Sequence, residues 1–124
     1  MRPFGTILKT MSTMPYKFGD IVLVRYPFTN QASFKQRPAV VVSSRAYNDE
    51  RPDVVLMAIT SQLRPGSTLD DIRVDDWKSA GLLKPSAVKP VFSTLEQVLI
   101  LKMLGAMTLT DQAALRTAIN QIIG

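Results

Sequence analysis

Cysteine and histidine are both absent from this chain of 124 residues. Without cysteine neither a disulfide framework nor a thiolate zinc site can form, and without histidine the commonest metal ligand and the commonest general base are gone. Chemistry here has to run on Arg, Lys, Asp, Glu, Ser, Thr, Tyr or backbone groups, and neither a metal nor a cofactor is expected. Aromatic residues are sparse, at 7% of the chain. No apolar run approaches the roughly 20 residues of a membrane-spanning helix, and the first residues lack the continuous apolar stretch of a secretory signal. A soluble, cytoplasmic protein is therefore expected. Acidic residues are in the minority, 10 Asp and Glu against 15 Lys and Arg, which leaves a net charge of +5 and favours a polyanion or an acidic protein as partner. The length suits one domain with one core.

What the chain does contain is a strongly β-forming middle. In Arg37-Pro38-Ala39-Val40-Val41-Val42-Ser43-Ser44 four consecutive apolar residues, three of them β-branched, read as a strand covered on both faces. Pro38 disfavours helix at the residue before it, so Arg37 is expected in extended backbone at the end of the preceding loop, its guanidinium projecting from a rigid strand end. Such a mounting suits a phosphate-binding group, and equally a solvated arginine before an ordinary core strand.

Residues 1–16 show no clear period and read as a flexible tail ahead of a domain over 17–124. Phe18-Gly19-Asp20 is a turn leading into a strand over 21–26 that Pro27 ends. A polar loop over 29–36 then returns the chain, so this strand and the Arg37 strand should pair antiparallel. A helical turn begins at Arg45, a third buried strand covers 54–59, and Pro65-Gly66 turns the chain into a short edge strand over 71–74. Residues 75–81 read as a helical turn ended by Gly81. The strand over 86–93 contains Pro90 and should be an edge or a bulged one. Residues 95–104 fit neither period cleanly, and a short strand over 98–101, broken by Gly105, is expected there. Thr108 followed by Asp111 resembles a capping box, with Leu115, Ala118, Ile119 and Ile122 on one face of a C-terminal helix. The class is mainly β with α, a curled sheet of about five to seven strands with short helical turns and one terminal helix.

Polar groups at the ends of neighbouring buried strands converge on one rim of a small barrel, which makes Arg37, Thr60 and Ser61 a candidate anion site. The two hydroxyls also suit turns that bond local backbone. Lys89, between Val88 and Pro90, is a third candidate, or a lysine that guards a strand edge against aggregation.

In order, Phe18-Gly19-Asp20-Ile21-Val22-Leu23-Val24 with Tyr26-Pro27-Phe28, Arg37-Pro38-Ala39-Val40-Val41-Val42-Ser43, Ile59-Thr60-Ser61, Gly81-Leu82 through Ser86-Ala87-Val88-Lys89, and Leu104-Gly105 before a final helix resemble the MazF/PemK family of toxin endoribonucleases. The resemblance covers residues 16–124. It implies an SH3-like barrel, a homodimer, the toxin role in a type II toxin–antitoxin system, metal-independent cleavage of single-stranded RNA and neutralisation by an acidic cognate antitoxin.

By resemblance Arg37 corresponds to the family's catalytic arginine, Thr60 to its active-site threonine, and Lys89 to a position where some members have a second arginine. Ser61, Lys35, Phe34, Gln36 and Gln62 are then the expected RNA-contacting residues. Phe28 is either a base-stacking ring or core. The chain departs from the pattern at Ala32 and Ser33, near where some relatives carry a glutamate, and at Val91, near where others carry an aspartate, so the general base is left unassigned. The fitting chemistry is attack of the RNA 2′-OH on the adjacent phosphorus, with cations stabilising the pentacovalent transition state. The alternative is a barrel of the same type that binds RNA or an acidic protein segment without cutting.

Overall fold

The computed structural model describes residues 16–26, 35–63 and 72–124; the expectations for the N-terminal tail up to residue 15, for the 27–34 loop and for the Pro65-Gly66 turn lie outside the described residues. The β-branched runs form the first hairpin. Strand β1 (Asp20–Tyr26) pairs antiparallel with β2 (Lys35–Val41), from Ile21 opposite Val40 to Tyr26 opposite Lys35. Ahead of β1, Gly19 adopts φ +95° and its N–H donates to Val41 O at 2.8 Å. Beyond β2, Val42 N–H donates to Val55 O at 2.9 Å. Backbone groups alternate sides along a strand, so odd-numbered residues of β2 face β1 and even-numbered ones face the next strand.

That alternation corrects the expectation for Arg37. It does not end a loop but lies inside β2, opposite Val24. Pro38 is tolerated there because its missing N–H faces the other neighbour, β3 (Asp53–Thr60), and the β2–β3 ladder runs only from Val41 opposite Leu56 to Ala39 opposite Ala58. The proline sits one residue past the last pair.

The far end of this hairpin is tied shut by a polar cluster. The helix α1 (Arg45–Glu50) is capped by Ser44, which accepts from Tyr47 N at 3.1 Å. Asn48, buried, donates to Tyr16 O at 2.9 Å and to Ser43 O, while Gln97 Nε2 donates to Asn48 O and Arg51 O, both at 3.0 Å. Arg51 also donates to Asp53, holding that half-buried carboxyl below its usual range.

Strand β5 (Ser86–Glu96) lies between β3 and the short β4 (Ile72–Val74). It is therefore interior, and bulged: Met57 pairs with Phe92 and Ile59 with Val88, so Ala58 alone spans Lys89, Pro90 and Val91. The extra residues absorb the proline. The last strand starts later than expected. A 3₁₀ turn over Gln97–Leu99 leads into β6 (Ile100–Ala106), which pairs with β1. The full order is β4-β5-β3-β2-β1-β6, all antiparallel, curled into a half-barrel of six strands.

Gly105 does not break β6. A Cβ there would meet Ala80 O at 2.4 Å, and one at Gly81 would meet Leu104 O at 2.1 Å. The two glycines let the 80–81 backbone cross β6 in direct contact, covering one side of the half-barrel. Gly81 has φ +87° and ends the preceding turn, Leu82 N–H donating to Trp77 O at 3.0 Å.

The helix α2 (Leu109–Ile123) is capped by Thr108, whose Oγ1 accepts from Asp111 N at 3.2 Å. The Asp111 carboxylate does not complete the expected box. It is buried and accepts from Asp75 N at 3.3 Å and Asp76 N at 3.0 Å, tying the 75–81 turn to the helix. Leu115 is fully buried and Ile119 packs beside it, while Ile122 is 42% exposed, so only the first part of the expected apolar face is covered. Side chains of the sheet form two clusters, one on each face: Ile21, Val40, Met57 and Val88 with Leu115, and Val22, Val24, Ala39, Val41 and Leu56 with Leu95. Ala39, Val40 and Val41 are thus buried on alternate faces, as their unbroken apolar run implied.

Replacing Asp111 by alanine removes both acceptors from the 75–81 turn and is expected to lower stability by about 1–3 kcal/mol. Urea unfolding checks this; a midpoint equal to that of the parent protein would mean that water replaces both bonds. Among the described residues no helix is long and apolar enough to cross a membrane.

Candidate nucleic-acid site at the open end of the sheet

Where the β2–β3 ladder stops, a cavity of ≈ 480 Å³ begins. Beyond Ala39 opposite Ala58, the continued register would set Pro38 against Ile59 and Arg37 against Thr60, but Pro38 has no N–H for that side and the strands separate. All four of these residues line the cavity. Leu23 adds to the floor through its pairing with Pro38. The glycine crossing builds the facing wall, with Gly81, Leu82 and Leu83 on one segment and Leu104 on β6.

The polar lining is cationic. Arg37, Lys84 and Lys102 line the cavity together with Thr60, Ser61, Gln62 and Ser86, and among the described residues no Asp or Glu does. Arg37 is exposed, and no described residue pairs with its guanidinium. Among the described residues the lining thus holds three cations without a counter-charge, which repel one another and favour entry of an anion. Thr60 Oγ1 accepts from Gln62 N at 3.0 Å. Both sequence readings of Thr60 therefore meet here: it shapes the local turn, and its hydroxyl proton remains available to donate outward.

The structure brings Arg37, Thr60, Ser61 and Gln62 together. Gln36 is exposed on β2 opposite Arg25 and does not line the cavity. Lys35 begins β2, with its side chain outside the described residues, as are Phe34 and Phe28 altogether. Lys89 lies in the β5 bulge, half-buried, and is not in the lining. The cations that do line it, Lys84 and Lys102, were not singled out from the sequence. Lys102 lies in the stretch whose period was unclear, and Lys84 in a segment without any; only the glycine crossing brings them to the cavity. Among the described residues no group of three or more His, Cys, Asp or Glu could hold a metal ion.

A curled antiparallel half-barrel with one terminal helix and a cationic cavity at its open end defines the class of small, curled β proteins with a charged rim site. Residues 17–123 match the family described as PemK-like, MazF-like toxin of type II toxin–antitoxin systems, and the chain belongs to that family. No curated protein sequence matches it. Among solved structures, it is similar to the Mycobacterium tuberculosis toxin MazF-mt6, with 20% identity, a TM-score of 0.68, and coverage of 84% of this chain and 95% of that one. A MazE–MazF crystal structure from Deinococcus radiodurans is 18% identical with a TM-score of 0.70, covering 90% of this chain and 98% of that one. A mycobacterial endoribonuclease in complex with its cognate antitoxin is 17% identical with a TM-score of 0.63, over 90% of this chain and 96% of that one. At such identities the likeness concerns the fold.

Proposed function

We propose that this toxin is a metal-independent endoribonuclease that cuts single-stranded RNA, and so inhibits translation and growth. The observation that carries the reading is that Arg37 and Thr60 line one cavity beyond the end of the β2–β3 ladder, whose described lining holds cations and no carboxylate. Membership of a toxin family whose members are generally endoribonucleases supports it.

In the proposed reaction the RNA 2′-oxygen attacks the adjacent phosphorus, the bond from phosphorus to the 5′-oxygen breaks, and the products are a 2′,3′-cyclic phosphate and a 5′-hydroxyl. Arg37 offers paired N–H donors to the non-bridging oxygens as charge accumulates on them. Thr60 donates its hydroxyl proton to one of the same oxygens, having its lone pair engaged by Gln62 N–H. One proton is lost from the 2′-oxygen and one is gained by the departing 5′-oxygen, and neither transfer is assigned to a residue. Single strands suit the site because their unstacked bases can lie on the apolar floor of Leu23, Pro38 and Ile59.

The protein would act in the cytoplasm as a homodimer, silenced by an acidic antitoxin segment that competes for the cationic cavity. Solved relatives in complex with antitoxins are in keeping with that partner. Incubating a long RNA with the purified protein in chelator, and mapping the ends, tests the reading: cleavage with 5′-hydroxyl ends is expected. Cleavage only on addition of metal, or 5′-phosphate ends, would overturn the mechanism. RNA that is bound and left intact would favour the second reading, a barrel that binds RNA without cutting, which a described lining without carboxylates also suits.

A further inference from the structure

Two of the three cations that line the cavity among the described residues have no part in the scheme above. Both are exposed, and neither has a hydrogen-bond or ion-pair partner among the described residues. Their backbones are nevertheless fixed. Lys102 pairs directly with Leu23, whose other neighbour is Pro38, so it stands two strand spacings from β2, about 10 Å. Lys84 follows three residues after Gly81, whose backbone is packed against Leu104. The crossing that covers one side of the half-barrel thus sends one lysine out along each of its two segments, and both reach the cavity that holds Arg37.

A single phosphodiester carries one negative charge, which Arg37 alone can match. A site that gathers two further unpaired lysines, set off from the arginine by strand spacings, fits a chain of phosphates better than one phosphate. We infer that Lys84 and Lys102 are RNA-binding residues that hold backbone phosphates flanking the one at Arg37 and Thr60, setting the path of the strand across the cavity. This rests on the endoribonuclease reading and adds to it the footprint of the substrate.

The test is the salt dependence of binding to a single-stranded 2′-O-methyl RNA oligonucleotide, which lacks the attacking hydroxyl, followed by fluorescence anisotropy. For single strands each neutralised phosphate contributes about 0.7 to the slope of log K against log salt. Lys84→Gln and Lys102→Gln should each reduce the slope by about 0.7, with Lys84→Arg and Lys102→Arg restoring it. Arg45→Gln, at the opposite end of the hairpin, should leave it unchanged. Thermal unfolding of the same variants, expected to match the parent protein, separates lost phosphate contact from lost fold. If the parent protein binds and cuts RNA while both glutamine variants keep its slope, or if Lys89→Gln lowers the slope and they do not, this inference fails and the endoribonuclease reading stands. If the parent protein neither binds the oligonucleotide nor cuts RNA, both fail.

Discussion

Arg37→Ala is expected to slow single-turnover RNA cleavage by about a hundredfold or more, on the order of 3 kcal/mol, with little change in affinity for RNA lacking the attacking hydroxyl. The side chain is free to act because no described residue pairs with it, and its backbone is held in β2 opposite Val24. Donors that meet charge appearing only in the transition state raise the rate without raising affinity. Arg37→Lys should rescue poorly, because a lysine brings a point charge and not the fork of paired N–H donors. A fully active lysine variant would show that charge alone is needed. An alanine variant whose affinity falls in parallel with its rate would make Arg37 a phosphate-positioning residue instead.

Gly81→Ala should have the largest effect on stability. Its Cβ would lie 2.1 Å from Leu104 O, a backbone atom of a paired strand that has little room to retreat, and the residue has φ +87°. Left-handed backbone at a non-glycine residue costs about 1–3 kcal/mol on its own, and relieving the clash adds to that. A loss of about 3 kcal/mol or more lowers the melting temperature by roughly 10 °C in a domain of this size. Gly124→Ala is the control: φ is +92° there too, but nothing lies within 4 Å of the added atom. Because Gly81 and Leu104 also line the cavity, the Gly81 variant should lose cleavage activity even at temperatures where it remains folded. Calorimetry with activity assays at low temperature measures both; an unchanged melting temperature would mean that the crossing can open at little cost.

The sequence by itself determined the strands that carry dense local information. The run Ala39-Val40-Val41-Val42 could only be a strand wanted on both faces, and Ala39, Val40 and Val41 are fully buried. Gly19 and Gly81 marked turns correctly, Thr108 marked the start of α2, and Pro90 marked the β5 bulge, because each restricts its own backbone whatever surrounds it. The order of motifs was enough to place the chain in its family. Arg37 and Thr60 could be named together because each adjoins an apolar run that periodicity already located.

Other features depended on which segments meet. Nothing local distinguishes a glycine that ends a strand from one that lets two backbones touch, and Gly105 proved to be the second kind. Asp111 sits where a capping box would place it, yet it accepts from Asp76 N–H in a turn, 35 residues away in sequence. Pro38 looked like the boundary of a strand and is instead the reason two strands part inside a sheet, a role set by which neighbour its missing N–H faces. The choice of Lys84 and Lys102 over Lys89 as cavity cations has the same origin. A charged side chain carries no periodic signal of its own, and its position relative to Arg37 is fixed only when the chain crosses itself at Gly81 and Gly105.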